Sequence, residues 1–137
     1  MTEVPGVIRT VGFFSELGPG WGLPLDGLLR ESVNPAGEPD EAEIIGYLGR
    51  GAVIWAEMSA GPDVLDPEAP VLSGVGSLFT DGTWLWRQDL AYYLGTYHVT
   101  LPRDFLTHVR KARYRVPAVP ETRLLEILTR DLGIAVD

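Results

Sequence analysis

The order of local signals along the chain predicts an α+β domain: a small, mostly antiparallel sheet of three or four strands packed against several helices. Three observations carry the prediction. Asp81-Gly82, flanked by Phe79-Thr80 and Thr83-Trp84, is a strong type I′ hairpin signal. Residues 52–58 (AVIWAEM) form a short apolar run rich in β-formers, as a buried strand would. Several other stretches repeat their apolar residues at helical spacing instead.

In chain order, residues 7–14 (VIRTVGFF) fit either a strand or an apolar first helical turn, and both readings stand at this point. Gly18-Pro19-Gly20 breaks the chain. Residues 23–33 (LPLDGLLRESV) place Leu25, Leu28, Leu29 and Val33 near helical spacing, which predicts a helix weakened by Gly27. After Asn34-Pro35-Ala36-Gly37, Pro39 suits a first helical turn and Asp40, Glu41 and Glu43 suit the positive end of a helix dipole. Ile44, Ile45 and Leu48 supply that helix's apolar stripe, and Gly49 or Gly51 its end.

Three prolines within residues 61–70 (GPDVLDPEAP) forbid regular structure, so this stretch reads as an acidic loop. A strand enters over 71–80 and returns over 83–86, with Trp84 and Trp86 on one face and Leu85 on the other. Asp89, Leu90, Tyr93, Leu94 and Tyr97 have helical spacing, and Leu101-Pro102 begins another helix with Phe105, Leu106 and Val109 inward. Pro117 and Pro120 mark a linker, and residues 121–132 form an amphipathic helix capped by Gly133. The chain therefore divides into an irregular 1–37, sheet and central helices over 38–111, a linker over 112–119 and a terminal helix over 120–133. A single domain is expected, with the helices on one face of the sheet.

Composition narrows the functional classes. With 137 residues, 45% hydrophobic and 22% charged, the chain suits one globular domain. It lacks an apolar run long enough to span a bilayer, which takes about 20 residues. Its first residues lack the basic and apolar regions of a signal peptide, so a cytoplasmic protein is expected. Without cysteine there is no disulfide, thiolate or Cys-based zinc site. Net charge is −8, and it is unevenly placed: residues 1–69 hold 3 basic and 12 acidic side chains, residues 70–137 hold 8 and 7. Such an acidic balance argues against nucleic acid, whose phosphates need clustered Lys and Arg, and favours a basic protein partner. The one basic cluster, residues 110–115 (RKARYR), is expected to pair with the protein's own acidic half.

An enzyme signature is missing. His108, with Asp104 one turn before it, makes the pattern of a surface hydrogen bond. His98 sits at a helix end as a capping or packing residue. None of the serines lies in a nucleophile elbow. Gly74-Val75-Gly76-Ser77 precedes a strand, not a helix, so it is not a dinucleotide fingerprint. Asp63, Asp66 and Glu68 are oxygen ligands in principle, but the loop lacks the Gly and distant Glu of an EF-hand. Neither metal nor cofactor is expected.

The segment 78–110 concentrates two Trp, three Tyr and two Phe. Those aromatics either close the core, each burying roughly 150–250 Å², or anchor a partner, since Trp and Tyr are common interface hot spots. Because Leu85 opposes Trp84 and Trp86, at least one of these faces is expected to be partly open. Tyr92, off the inward stripe of its helix, is the best exposed candidate. Asp81, Asp89 and the loop acids Asp63, Asp66 and Glu68 would surround such anchors with negative potential.

The run TDGTWLWRQDLAYYLGTYHVTLPRDFLTHVR resembles a small, largely uncharacterised actinobacterial family. Its members show Thr-Asp-Gly-x-Trp-x-Trp, then Asp-Leu-Ala-Tyr-Tyr-Val, then Tyr-x-Val-x-Leu-Pro-x-x-Phe. Here the matching positions are Thr80, Asp81, Gly82, Trp84 and Trp86; Asp89, Leu90, Ala91, Tyr92, Tyr93 and Leu94; and Tyr97, Val99, Leu101, Pro102 and Phe105. EAEIIGYLGRGAVI and DVLDP extend the resemblance upstream, and Arg87 stands where that pattern has proline. The resemblance implies no activity. By type alone, small acidic α+β proteins of this kind resemble bacterial toxin-immunity proteins, including the SUKH group. The expected function is therefore non-catalytic protein binding, as an immunity-like inhibitor of a basic toxin. The alternatives are a small-molecule or enzymatic domain with a pocket between the hairpin and the 89–97 helix, and a regulatory or scaffold domain.

Overall fold

A buried strand forms the centre of the molecule. In the computed structural model, which describes residues 7–135, the strands are β1 (Arg9–Thr10), β2 (Ala52–Trp55), β3 (Ala60–Gly61), β4 (Leu72–Ser73), β5 (Leu78–Thr80) and β6 (Trp84–Arg87). The helices are α1 (Glu41–Gly49), α2 (Leu90–Tyr97), α3 (Arg103–Lys111) and α4 (Glu121–Glu126), the last continuing as a π-helical turn, Ile127–Asp131. The first six residues of the expected irregular segment lie outside the described residues.

Four strands form a mixed sheet in the order β1-β6-β5-β2, and β3 and β4 form a separate two-stranded ribbon. The pairings β2–β5 and β5–β6 are antiparallel, but β1 runs parallel to β6, placing Arg9 beside Trp84 and Thr10 beside Leu85. Residues 7–14 thus contribute a strand, although only two residues hold ladder geometry.

Alternation along β6 divides two cores. Trp84 and Trp86 point to a layer built from α1, α2 and α3, where Phe105 meets their rings at 5.2 and 6.0 Å between centroids. Leu85 points to the opposite layer with Phe13, Leu78, Ile127 and Leu132. The expectation that helices lie on one face is corrected: the terminal helix, with the N-terminal segment, covers the other. All four β6 residues are buried for that reason, so neither face of the Trp84–Leu85–Trp86 strand is open.

The segment 23–33 is not an α-helix. Only Leu29–Glu31 form a turn of 3₁₀-helix. Residues 13–15 compete for its backbone: Asp26 N–H donates to Phe13 O at 2.8 Å, and Ser15 N–H to Gly27 O at 2.8 Å. The Asp26 carboxylate also accepts the N–H groups of Gly12 and Phe13 at 2.6 and 3.2 Å. Leu25 and Val33, which a helix would have buried, remain 51% and 41% exposed.

The hairpin differs from a type I′ turn. Thr80 pairs with Leu85, leaving a four-residue connection in which Gly82 is left-handed (φ 94°) and Asp81 is not. Side chains close it: Asp81 Oδ1 accepts the N–H groups of Thr83 and Trp84 at 2.9 and 2.7 Å. The strand expected over 71–80 is likewise split, with a turn closed by Ser77 N–H on Gly74 O between β4 and β5.

Candidate functional site

The candidate site is the β3–β4 ribbon and its acidic connection, residues 62–71. Ribbon pairing sets Ala60 opposite Ser73 and Gly61 opposite Leu72. Ala60 and Ser73 face solvent, while Gly61 and Leu72 are half-buried and Leu72 packs on the main core. Adjoining the ribbon, Met58 is fully exposed and Val71 is 65% exposed. The outer side therefore offers apolar surface without a covering element among the described residues.

Asp63 gives the connection its shape. Its carboxylate is buried, with Oδ1 accepting the N–H groups of Leu65 and Asp66 at 2.8 and 3.2 Å. Oδ2 accepts the hydroxyls of Tyr92 and Tyr97 at 2.7 and 2.5 Å. Val64 N–H donates to the Tyr93 hydroxyl oxygen at 3.1 Å. Three tyrosines of one helix thereby hold the loop. The next acid continues the turn, Asp66 Oδ1 accepting Glu68 N–H at 3.0 Å. Burial resists ionisation of Asp63 most strongly, but the Tyr97 and Tyr92 hydroxyls and the two amides together outweigh it. Its carboxyl titrates below the ordinary range, and the same contacts push the Tyr97 and Tyr92 hydroxyls upward. The outcome is an ionised, fully hydrogen-bonded root beneath the exposed Asp66 and Glu68.

The other expected site residues lie elsewhere. Trp84 and Trp86 are buried, and Trp86 Nε1 donates to Leu48 O at 3.0 Å. Asp81 is buried under the hairpin, where Oδ2 accepts the Tyr47 hydroxyl at 2.6 Å and lies 2.9 Å from His108 Nε2. Asp89 is buried with Arg87 in a bidentate pair at 3.1 and 3.2 Å. Burial raises the Asp89 carboxyl above its ordinary range, against the pull of Arg87. None of these four has surface to offer a partner in this conformation. Tyr92, expected to be exposed, is half-buried because its hydroxyl serves Asp63. Only Asp66 and Glu68 keep the accessibility first assigned to them.

Pairings read from sequence neighbours also change. His108 joins Asp81 and not Asp104, which pairs with Arg9 at 3.1 Å. Within the basic cluster, Arg110 binds Asp40 and Glu38, and Tyr114 donates to Asp40 at 2.6 Å, as the acidic front half suggested. Where the alternative reading puts a pocket, between the hairpin and the 89–97 helix, the Trp86 and Tyr93 rings are both fully buried in one core cluster.

Sequence reasoning missed Tyr93 and Tyr97 as supports and Met58 and Val71 as exposed surface. The exposure of Met58 and Val71 follows from an alternation too short to show in the sequence. Among the described residues, no group of three or more His, Asp or Glu is placed to hold a metal, and no helix is long and apolar enough to cross a membrane. Comparison with family models, curated proteins and solved structures finds no match to the chain.

Proposed function

We propose that this protein is a non-catalytic protein-binding domain that docks a basic protein on the outer side of the β3–β4 ribbon and its acidic loop. One observation carries the reading: the exposed Asp66 and Glu68 stand on a loop already held by buried Asp63, so binding need not order it. Val71, at the end of the loop, and Met58, at the opposite end of the ribbon, are both exposed and would give a partner that spans the ribbon apolar contacts. The net charge of −8 draws a cationic partner from a distance, and the loop sets its orientation. An immunity-like inhibitor of a cationic toxin is the specific form of this reading, with the ribbon blocking the partner's site sterically.

The test compares the wild type with the double variant Asp66→Lys/Glu68→Lys and with Met58→Asp, each used to capture partners from the native cell. One basic protein should be retained stoichiometrically by the wild type, leave as salt rises, and be lost from the double variant while its melting temperature is unchanged. Association of that partner with the double variant should slow by about tenfold at low salt. Equal retention by wild type and both variants, or the absence of any basic partner, would sink the proposal.

A further inference from the structure

A second site lies away from the acidic loop and shares no residue with it. The structure holds a cavity of about 400 Å³ between the 34–38 segment, the first turn of α1, the end of α2 and the first turn of α3. That volume falls within the usual size of small-molecule sites. The floor is apolar and buried, formed by Ile44, Leu94, Val99, Leu101 and Leu106. The rim is polar, with Asn34, Glu38, Glu41, His98, Thr100 and Arg103.

The rim is held rigidly. Asn34 Nδ2 lies within donating distance of Ser32 O, His98 O and Thr100 Oγ1, at 3.1, 2.7 and 2.8 Å. Two backbone bonds tie the same strands of chain, Asn34 N–H to Tyr97 O and Thr100 N–H to Ser32 O. These contacts hold His98 in the left-handed region, at φ 54° and ψ 48°, where residues other than glycine are uncommon. Its Nδ1 faces Glu41 Oε2 at 2.9 Å.

The charges on the rim decide what the cavity suits. Glu38 lies 3.3 Å from Arg110, and Glu41 faces His98 Nδ1, an ion pair only when the imidazole is protonated. Arg103 is exposed and makes no ion pair among the described residues. A neutral ligand would leave its guanidinium to water, whereas a carboxylate would give it a charged partner. We infer that the cavity binds a small organic carboxylate with an apolar body. The hydrocarbon part covers the floor and the carboxylate takes the Arg103 guanidinium, a geometry that fork-shaped donors favour.

The probes are 3-phenylpropanoate and 3-phenylpropan-1-ol, which share a body and differ in charge. Each is titrated into the isotope-labelled full chain, wild type and Arg103→Gln, with amide shifts as the readout. The acid should produce saturable shifts concentrated in residues 34–44 and 94–106, and should bind about tenfold more tightly than the alcohol. Arg103→Gln should weaken the acid by about tenfold and leave the alcohol nearly unchanged, which also reports that the cavity is intact. The inference falls if the acid does not bind, if its shifts lie elsewhere, if acid and alcohol bind alike, or if Arg103→Gln retains full affinity for the acid.

Discussion

Asp63 shows how one side chain exchanges a surface role for a structural one. Four hydrogen bonds, two from tyrosine hydroxyls, compensate the cost of burying its charge. Its native carboxyl holds a proton less tightly than the unfolded one, whose ordinary value is near 3.8. The resulting stability is complete above that value and fades as pH falls through the lower native one. Asp40 acts the same way through the hydrogen bond from Arg110, while Asp26 and Asp89, both raised chiefly by burial, offset part of the decline. Asp63→Asn keeps an acceptor but loses the charge. It should cost about 2 kcal/mol at neutral pH and flatten the loss of stability below pH 4. Urea unfolding at pH 7 and pH 3 measures both effects, and an unaltered acid slope would show that Asp63 is not the group responsible. The sequence marks 63 as acidic but hides its partners, which lie 29 and 34 residues further on.

At the level of elements, what was legible depended on whether a segment's backbone bonds to itself. α1, α2 and α3 were readable because their apolar spacing coincides with buried faces: Ile44 and Leu48, Leu90 and Tyr93, Phe105 and Val109. The 23–33 segment has comparable spacing, yet its backbone is taken by Phe13 and Ser15, and no local pattern records a competition of that kind. Arg87 shows the same limit. Where the resemblance led us to expect proline, its buried guanidinium bridges Asp89 and Gly18 O, joining the start of α2 to the N-terminal segment. In that segment Gly12 is left-handed, with φ 75°, and an added Cβ would lie only 2.5 Å from Leu90 Cδ1. Gly12→Ala would meet both a left-handed backbone, costing about 1–2 kcal/mol, and an overpacked core, costing about 1–3 kcal/mol. A loss of at least 2 kcal/mol in denaturant unfolding is expected. A loss below about 0.5 kcal/mol would mean that the turn and Leu90 relax freely.

For the molecule as a whole, the sheet is a shared wall between two cores. The predicted α+β class was legible because strand and helix periods separate over residues 41–111, which hold most of the sheet and three of the helices. The two-sided arrangement was not, because nothing in the pattern of residues 121–132 states which face of the sheet that helix covers. Ile127 is fully buried in the layer with Phe13, Leu78 and Leu85. Trp84 and Trp86 lie across β6 from it, whereas Trp21 and Trp55 pack on its own side, so the fluorescence of the opposite layer is read in a Trp21→Phe/Trp55→Phe background. If each layer were stable alone, damage near Ile127 would leave the Trp layer standing. A layer of this size has little stability to spare, and β6 contributes side chains to both, so the two should unfold together. Ile127→Ala should therefore lower stability by about 3 kcal/mol, with the far-ultraviolet and tryptophan transitions shifting together. A tryptophan transition that stays at the wild-type midpoint while the far-ultraviolet signal moves would show that the layers are separate folding units. In that case the terminal helix would be an accessory to the fold and not one of its two supports.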